Sequence, residues 1–189
     1  MQEVPEQAGW STDGKPGWRG GAACVWALVV YFGLVMEAVI RLWPIAVEPL
    51  GQGMTAPVWA CYLAFVAFNA YAEGYRGFQR AFVPRLVARL RLLAFEPTTF
   101  RVWLAPLFIM GLVQAPRRRL LSGWMLVLFI VCAIVYVRSL SQPWRGVIDA
   151  GVVVGLAWGL LTSLVQIVVL LRGTAPRVDP EIPPVATGS

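Results

Sequence analysis

Residues 20–36 read GGAACVWALVVYFGLVM and contain no charged side chain. The apolar character continues to Trp43, and Pro44 is then expected to end the helix. At about 1.5 Å per residue, a helix over Gly20–Trp43 is about 36 Å long, enough to cross a hydrocarbon core of about 30 Å with some tilt. This stretch therefore predicts a membrane-spanning helix.

The composition of the whole chain indicates the same surroundings. Of its 189 residues, 58% are hydrophobic and only 14% are charged, and the mean hydropathy is +0.67. A soluble domain of this length needs more charge to keep its surface hydrated, so most of this surface is expected to face lipid. The net charge is +6, and Lys15 is the only lysine. Because the basic residues flank apolar segments, they indicate an anionic membrane face rather than nucleic acid.

Other apolar segments predict three more spans, at about residues 54–75, 120–137 and 144–171. The segment 102–113 is also apolar, but it is short and contains Pro106, which favours a re-entrant or interfacial segment over a crossing. A single helix over residues 97–114 that just spans is the alternative. The predicted fold class is therefore all-α. It is a polytopic integral membrane bundle within residues 20–172, with four spanning helices and one re-entrant or interfacial segment.

Both ends of the chain are polar and are predicted to lie in the cytoplasm. Residues 1–19 are interpreted as a flexible arm, and residues 173–189, with four prolines, as a disordered tail. Four spans place most arginines on the side of the termini, whereas a fifth would move residues 117–119 outside, so the positive-inside rule selects four. The excess of arginine over lysine suggests a GC-rich bacterial genome and hence the bacterial cytoplasmic (inner) membrane.

Arginines are concentrated between the second and third spans. Residues 76–95 form a basic amphipathic segment in which Leu86, Leu90 and Leu93 share one side, a pattern typical of a helix at the membrane surface. Alternatively, these arginines only mark the cytoplasmic end of a span. The predicted surface for anionic lipid head groups or a partner comprises Arg76, Arg80, Arg85, Arg89, Arg91, Arg117, Arg118 and Arg119.

Polar side chains at depth in a membrane are costly unless they are paired. Asn69, Glu73, Arg76 and Arg80 follow α-helical spacing and are predicted to form one stripe, with Gln166 at a similar depth. A functional interpretation makes Glu73 a proton or cation site, and a structural one pairs it with Arg76. Nearer the outer face, two pairs of opposite charge are expected to link two helices, namely Glu37 with Arg41 and Arg145 with Asp149.

The last span carries small residues at a spacing of four: Gly151, Gly155, Gly159 and Ser163. Small residues at this spacing open a groove in which another helix can approach closely. The pattern predicts helix packing, but it leaves open whether the partner helix is internal, a second copy or another protein.

The sequence contains few groups suited to catalysis. It has no histidine, which excludes Ser-His and Cys-His pairs and histidine-ligated haem or di-iron sites. Cys24, Cys61 and Cys132 lie in apolar runs, form no CxxC motif, and are interpreted as small buried hydrophobic residues. Since no nucleotide-binding or metal-binding motif is present, no catalytic residue, metal or cofactor is predicted.

The leading hypothesis is a non-enzymatic integral membrane protein that acts as an accessory, assembly or scaffold subunit of a larger membrane complex through helix–helix packing. Its predicted partners are anionic lipid head groups and other membrane subunits or further copies of itself. The alternative is a small oligomeric transporter or channel for protons or cations that uses Glu73 and Asn69. An enzyme acting on lipid or isoprenoid substrates is less supported, because the acids for a metal site are missing.

Overall fold

The computed structural model describes residues 17–174, 176 and 178–182. Regular structure in these residues is entirely helical, which confirms the all-helical class. The elements in chain order are α1 (Trp18–Gly51), α2 (Ala56–Asn69), a π-helical segment (Ala70–Phe82), α3 (Val83–Phe95), α4 (Thr99–Trp103), α5 (Ala105–Ile109), α6 (Arg117–Arg138) and α7 (Trp144–Leu171). Most of the predicted N-terminal arm, and residues 175, 177 and 183–189 of the predicted tail, lie outside the described residues.

Three helices are long and apolar enough to cross a membrane: α1 with 34 residues, α6 with 22 and α7 with 28. Helix α2 has 14 residues, which is fewer than the roughly 20 that a crossing needs. The prediction of four spans is therefore not confirmed; among the described residues, three of the predicted spans coincide with helices long and apolar enough to cross. The second predicted span is divided, because its last turns belong to the π-helical segment.

The prediction that Pro44 ends the first helix is wrong, because α1 continues to Gly51 with Pro44 and Pro49 inside it. A proline inside a helix lacks the N–H that would donate to the carbonyl four residues earlier. For Pro49 that carbonyl belongs to Ile45, and the side-chain amide of Gln142 donates to it instead, at 3.3 Å. Compensation by a neighbouring segment of this kind is what lets spanning helices retain prolines.

Helix α7 lies at the centre of the bundle and packs against α1, α2 and the π-helical segment. Its face of small residues accepts large side chains: the ring of Phe65 lies against Gly151, and that of Phe78 lies against Gly159. The partner of this face is therefore internal. A Cβ atom at Gly159 would lie 2.6 Å from the Phe78 ring, a separation that packed atoms do not adopt.

The main hydrophobic core lies at one end of the bundle, where the first half of α1, α3, α5 and the last turns of α7 meet. Within it the hydroxyl groups of Tyr31 and Ser163 form a hydrogen bond of 2.9 Å that joins α1 to α7. A smaller cluster at the opposite end contains Ala46, Ala150 and Val153. The larger core thus forms around the short helices rather than midway along the long ones.

The segment 76–95 is predicted to be a basic amphipathic helix at the membrane surface, but its second half is buried in the protein. Helix α3 is inside the core, with buried residues on most of its circumference: Val83, Leu86, Val87, Ala88, Arg89, Leu90, Leu92 and Leu93. The following apolar segment forms two helices of five residues each, α4 and α5, which pack on α1 and α3. The alternative of one spanning helix over residues 97–114 is therefore wrong, and the folded-back segment covers α3.

Replacing Gly159 with leucine is expected to destabilise the bundle, because the new side chain must displace Phe78. Overpacking of this kind costs about 1–3 kcal/mol, so the midpoint of thermal unfolding in detergent should fall by several degrees. Gly33→Leu is the matched control, because no atom lies within 4 Å of a Cβ at Gly33. Equal midpoints for the two variants would contradict the packing described here.

Candidate functional site

Arg89 is buried at the end of the bundle that holds the main core, with 3% of its surface exposed. Its Nη1 donates to the carbonyls of Phe108 and Val113, both at 3.0 Å. Its Nη2 donates to the carbonyls of Gln114 at 3.3 Å and Glu181 at 3.1 Å. The guanidinium also lies over the Phe108 ring, 5.2 Å from the centroid. A buried charge is tolerated when its donors are satisfied in this way.

The assignment of Arg89 to a lipid-binding or partner-binding surface is therefore wrong. Its donors are used by backbone carbonyls of three segments: the last turn of α5, the loop after it and the C-terminal tail. Loss of hydration on burial is the main cause that lowers the pKa of Arg89; the Glu181 carboxylate raises this pKa, and neighbouring arginines lower it further. This side chain functions as an internal tie between elements.

Arg85 and Arg119 flank the carboxylate of Glu181 close to Arg89. The Glu181 oxygens lie 3.7 Å from Nη1 of Arg85 and 3.5 Å from Nε of Arg119. Burial is the largest cause that lowers the pKa of Arg85, and repulsion from Arg119 adds to it, while Glu181 opposes both. These three arginines, together with Glu181, form what we call the arginine site.

The sequence predicts a disordered tail over residues 173–189; of this segment, residues within 178–182 contact the arginine site and the main core. Pro180 is buried, and Ile182 packs against the main core. Reasoning from the sequence missed Glu181 because proline content dominated the interpretation. The sequence does carry one indication of this contact: Asp179 and Glu181 precede the apolar Ile182 in a chain with more basic than acidic residues.

The other predicted surface arginines remain at the surface or partly so. Arg76, Arg80, Arg117 and Arg118 are exposed, and Arg91 is half-buried. The guanidinium of Arg80 lies over the ring of Tyr75, 5.5 Å from its centroid. Arg101 instead contacts Glu96 at 3.5 Å and the side-chain oxygen of Gln114 at 2.9 Å. The predicted basic surface is thus divided into exposed residues and the arginine site.

The predicted stripe of polar residues on the second span is only half correct. Asn69 is buried, and its Nδ2 donates to the carbonyl of Phe65 at 2.9 Å. The next residue of the stripe, Glu73, lies against Gly155 on α7 but is also exposed. Arg76 and Arg80 are exposed, and Arg76 forms no ion pair with Glu73.

The π-helical segment explains this departure. A π-helix closes its hydrogen bonds to the fifth residue, so its turn is wider than the 3.6 residues of an α-helix. Positions that share a face under α-helical spacing therefore drift apart after Glu73, and Gly74 and Phe78 pack against α7 instead. Gln79 follows on the same side, where its Oε1 accepts a hydrogen bond of 2.9 Å from Trp158 Nε1.

The two predicted outer pairs form, but each closes within its own helix rather than linking two. Glu37 pairs with Arg41 on α1, where both side chains are more than half exposed. Arg145 lies 3.8 Å from the buried Asp149 on α7. The expected cross-link is wrong because a separation of four residues lets partners meet on one helix.

Another residue, which the sequence did not indicate, joins helices at this end. Gln142 donates through Nε2 to Glu48 Oε2 at 2.7 Å. Its Oε1 accepts from the backbone N–H of Gly146 at 3.0 Å. The end of α1 is thereby tied to the start of α7.

The remaining predicted residues lie away from the arginine site. Gln166 on α7 is exposed at the surface of the bundle. Cys61 and Cys132 are also exposed, and Cys24 is half-buried, with its thiol 3.4 Å from the carbonyl of Leu90. The expectation that all three cysteines are buried in protein is therefore wrong, because apolar segments in a bilayer also point outward.

Comparison with known proteins gives no match: no family model, no curated protein and no solved structure is significantly similar to this chain. The class of protein can therefore be stated only from the fold. This is a helical protein with three helices able to span a membrane.

Replacing Arg89 with methionine is expected to destabilise the fold by about 3 kcal/mol, because buried carbonyl groups lose their donor. The midpoint of thermal unfolding in detergent measures this loss. Arg118→Met is the control, since Arg118 is exposed and its side chain has no hydrogen bond to the described residues. A midpoint of Arg89→Met within a degree of this control would show that the four carbonyl contacts add no stability.

Proposed function

We propose that this chain is a non-enzymatic subunit of a larger membrane complex, with an accessory, assembly or scaffold role, and that α6 is its docking helix. The observation that carries this proposal is the isolation of α6. None of its 22 residues is buried. Its interior positions, Leu120–Val137, include no charged residue.

Helix α6 has few contacts with the rest of the described chain, and these lie in its first turns and against α7. The indole Nε1 of Trp124 donates to the carbonyl of Leu112 at 3.2 Å, and Arg119 faces Glu181. Beyond this point most of its large side chains are exposed. In a bilayer, helices associate through close van der Waals packing rather than through the hydrophobic effect. A spanning helix with so little packing against the described residues therefore offers most of its surface to a partner.

The glycine face of α7 does not serve as the docking surface in this proposal, because α2 and the π-helical segment occupy it. A second copy of this chain is also disfavoured as the partner of α6. Two copies related by an axis along the membrane normal would place their α6 helices in parallel, so that Arg117, Arg118 and Arg119 of each would face like charges. The partner we propose is a helix of another membrane protein with neutral or acidic residues at that depth.

We further propose four spans, with α2 and the first turns of the π-helical segment forming the fourth, and with both termini in the cytoplasm of a bacterium. This is supported by the packing of α2 along α7, because a neighbour of a spanning helix shares its depth. It is also supported by the two ends of α1: Gly20 lies against Ala94, whereas Glu48 contacts Gln142. Most arginines then lie on one side.

The orientation is tested with single cysteines in a variant that lacks the native ones. A cysteine at Gln52 is expected to react with a membrane-impermeant maleimide added to intact cells, because the α1–α2 connection lies outside. A cysteine at Thr98 is expected to react only after the cells are opened. Labelling of both positions, or of neither, in intact cells would contradict four spans.

The docking proposal is tested by photo-cross-linking in native membranes from Val131 on α6. We expect one discrete adduct whose added mass is not a multiple of the 20.8 kDa chain. The control places the same photoreactive residue at Val29 on α1, which is comparably exposed. Adducts of the same pattern from both positions, or lipid adducts alone, would contradict a docking role for α6.

If native mass determination after gentle extraction shows only this chain, a small transporter or channel for protons or cations becomes the better explanation. The observation that favours this second function is Glu73, a carboxylate that forms no ion pair with the described residues and lies against Gly155 of α7, in a π-helical segment. Segments of this kind are frequent at functional sites. Proton or cation flux in liposomes that Glu73→Gln abolishes would establish it, and unchanged flux would exclude Glu73.

A further inference from the structure

The arginine site combines side chains from three separate parts of the chain. Arg85 and Arg89 come from α3, Arg119 from the first turn of α6, and Glu181 from the tail. The carboxylate of Glu181 is 39% exposed and closes the site from outside. Arginines from two of these parts contact the carboxylate from the third.

One carboxylate does not match the positive charge of this site. The guanidinium groups of Arg85 and Arg119 face this carboxylate directly, and Arg89 lies behind them with its donors on backbone carbonyls. Burial is the main cause that lowers the pKa values of Arg85 and Arg89, and repulsion from Arg119 adds to it. The start of α6 adds the positive end of a helix dipole close to Arg119. A phosphate monoester carries a charge of about −1.5 to −2 near neutral pH and three acceptor oxygens, so it complements the site better than a carboxylate does.

The contacts of the Glu181 side chain are longer than those of a well-fitted ligand. Its oxygens stand 3.7 Å and 3.5 Å from the arginine nitrogens, whereas charge-assisted hydrogen bonds are typically about 2.7–2.9 Å. The backbone of Glu181 has a φ of 50°, a conformation that is unfavourable for a residue with a side chain. Asp179 Oδ1 accepts from its N–H at 2.6 Å and holds this conformation. Displacement of this carboxylate therefore breaks only weak contacts.

The walls of the site identify the kind of molecule that carries the phosphate. A small cleft there is lined by Phe82 and Met110 as well as by the charged groups. Apolar side chains beside arginines suit a molecule with both a phosphate and a hydrocarbon part. Since α1 begins and α7 ends near this core, an amphiphile in the bilayer would approach from the side.

We propose that Arg85 and Arg119, with Arg89 behind them, bind the phosphate head group of an anionic lipid, and that the side chain of Glu181 is an internal competitor for this position. This site is independent of the docking role of α6. When lipid phosphate enters, the carboxylate leaves, while the Glu181 carbonyl keeps its bond to Arg89 and the tail stays attached.

The test uses the purified full chain in a neutral detergent, titrated with a short-chain phosphatidic acid and, separately, with inorganic phosphate. Binding is measured by native mass spectrometry and by calorimetry. We expect phosphatidic acid to bind the wild-type chain and to bind Glu181→Gln roughly fivefold more tightly, because an exposed ion pair of about 1 kcal/mol no longer competes. Arg119→Gln is expected to lose this binding.

Two charge-matched variants serve as controls. Glu96→Gln removes an exposed acid that pairs with Arg101 outside the site, and Arg118→Gln removes the arginine next to Arg119. Both are expected to bind phosphatidic acid within about twofold of the wild-type chain, since screening limits the effect of a distant exposed charge. Glu181→Ala is a second variant of the competing residue and is expected to behave as Glu181→Gln does, with its unfolding midpoint showing that the fold is retained.

The outcomes separate the sources of the ligand. Inorganic phosphate bound as tightly as phosphatidic acid would overturn the lipid assignment and leave a site for a soluble phosphate group. Unchanged affinity in Glu181→Gln would overturn the competition, and an equal gain in Glu96→Gln would show that only net charge matters. Absence of binding in every variant would overturn the site, whatever photo-cross-linking shows for α6.

Discussion

Close approach along the small-residue face of α7 is the constraint on which the bundle depends. Apolar side chains gain nothing by leaving lipid for protein, so a membrane bundle is stabilised by tight van der Waals contact and by satisfied polar groups. Gly151, Gly155 and Gly159 allow Phe65, Glu73 and Phe78 to reach the backbone of α7. The bond between Tyr31 and Ser163 then fixes α1 on the same helix. Every long helix except α6 is positioned by this one surface.

At the end of the bundle that holds the main core, hydrogen bonds from one buried arginine join the elements. The last turn of α5, the loop after it and the tail bring backbone carbonyls together here, and a buried carbonyl without a donor costs roughly 1–3 kcal/mol. Arg89 donates to four of these carbonyls, which makes one charged side chain the junction of α3, α5 and the tail. Arg85 and Arg119 lie next to this junction and face the carboxylate of Glu181. The anion site we propose therefore depends on the same contacts that hold the tail against α3.

The sequence predicted what depends on local spacing and missed what depends on distant partners. Four-residue spacing on α7 was enough to predict a packing face, and hydropathy was enough for the three long helices. The continuation of α1 past Pro44 and the contacts of the tail with α3 were not predictable in this way. Gln142 supplies the donor that Pro49 lacks from 97 positions away in the chain, and Arg89 reaches Glu181 across 92. The π-helical segment after Asn69 likewise changes which side chains face α7, and no residue type in the sequence predicts a π-helix there.

Arg119 belongs both to α6, the proposed docking helix, and to the arginine site. It lies in the first turn of α6, and its guanidinium is one wall of the arginine site. The large exposed side chains of α6, such as Phe129 and Val135, lie further along the helix. A partner helix packed along α6 and the occupant of the arginine site would therefore contact different atoms of the chain, which is why the two proposals can be tested separately.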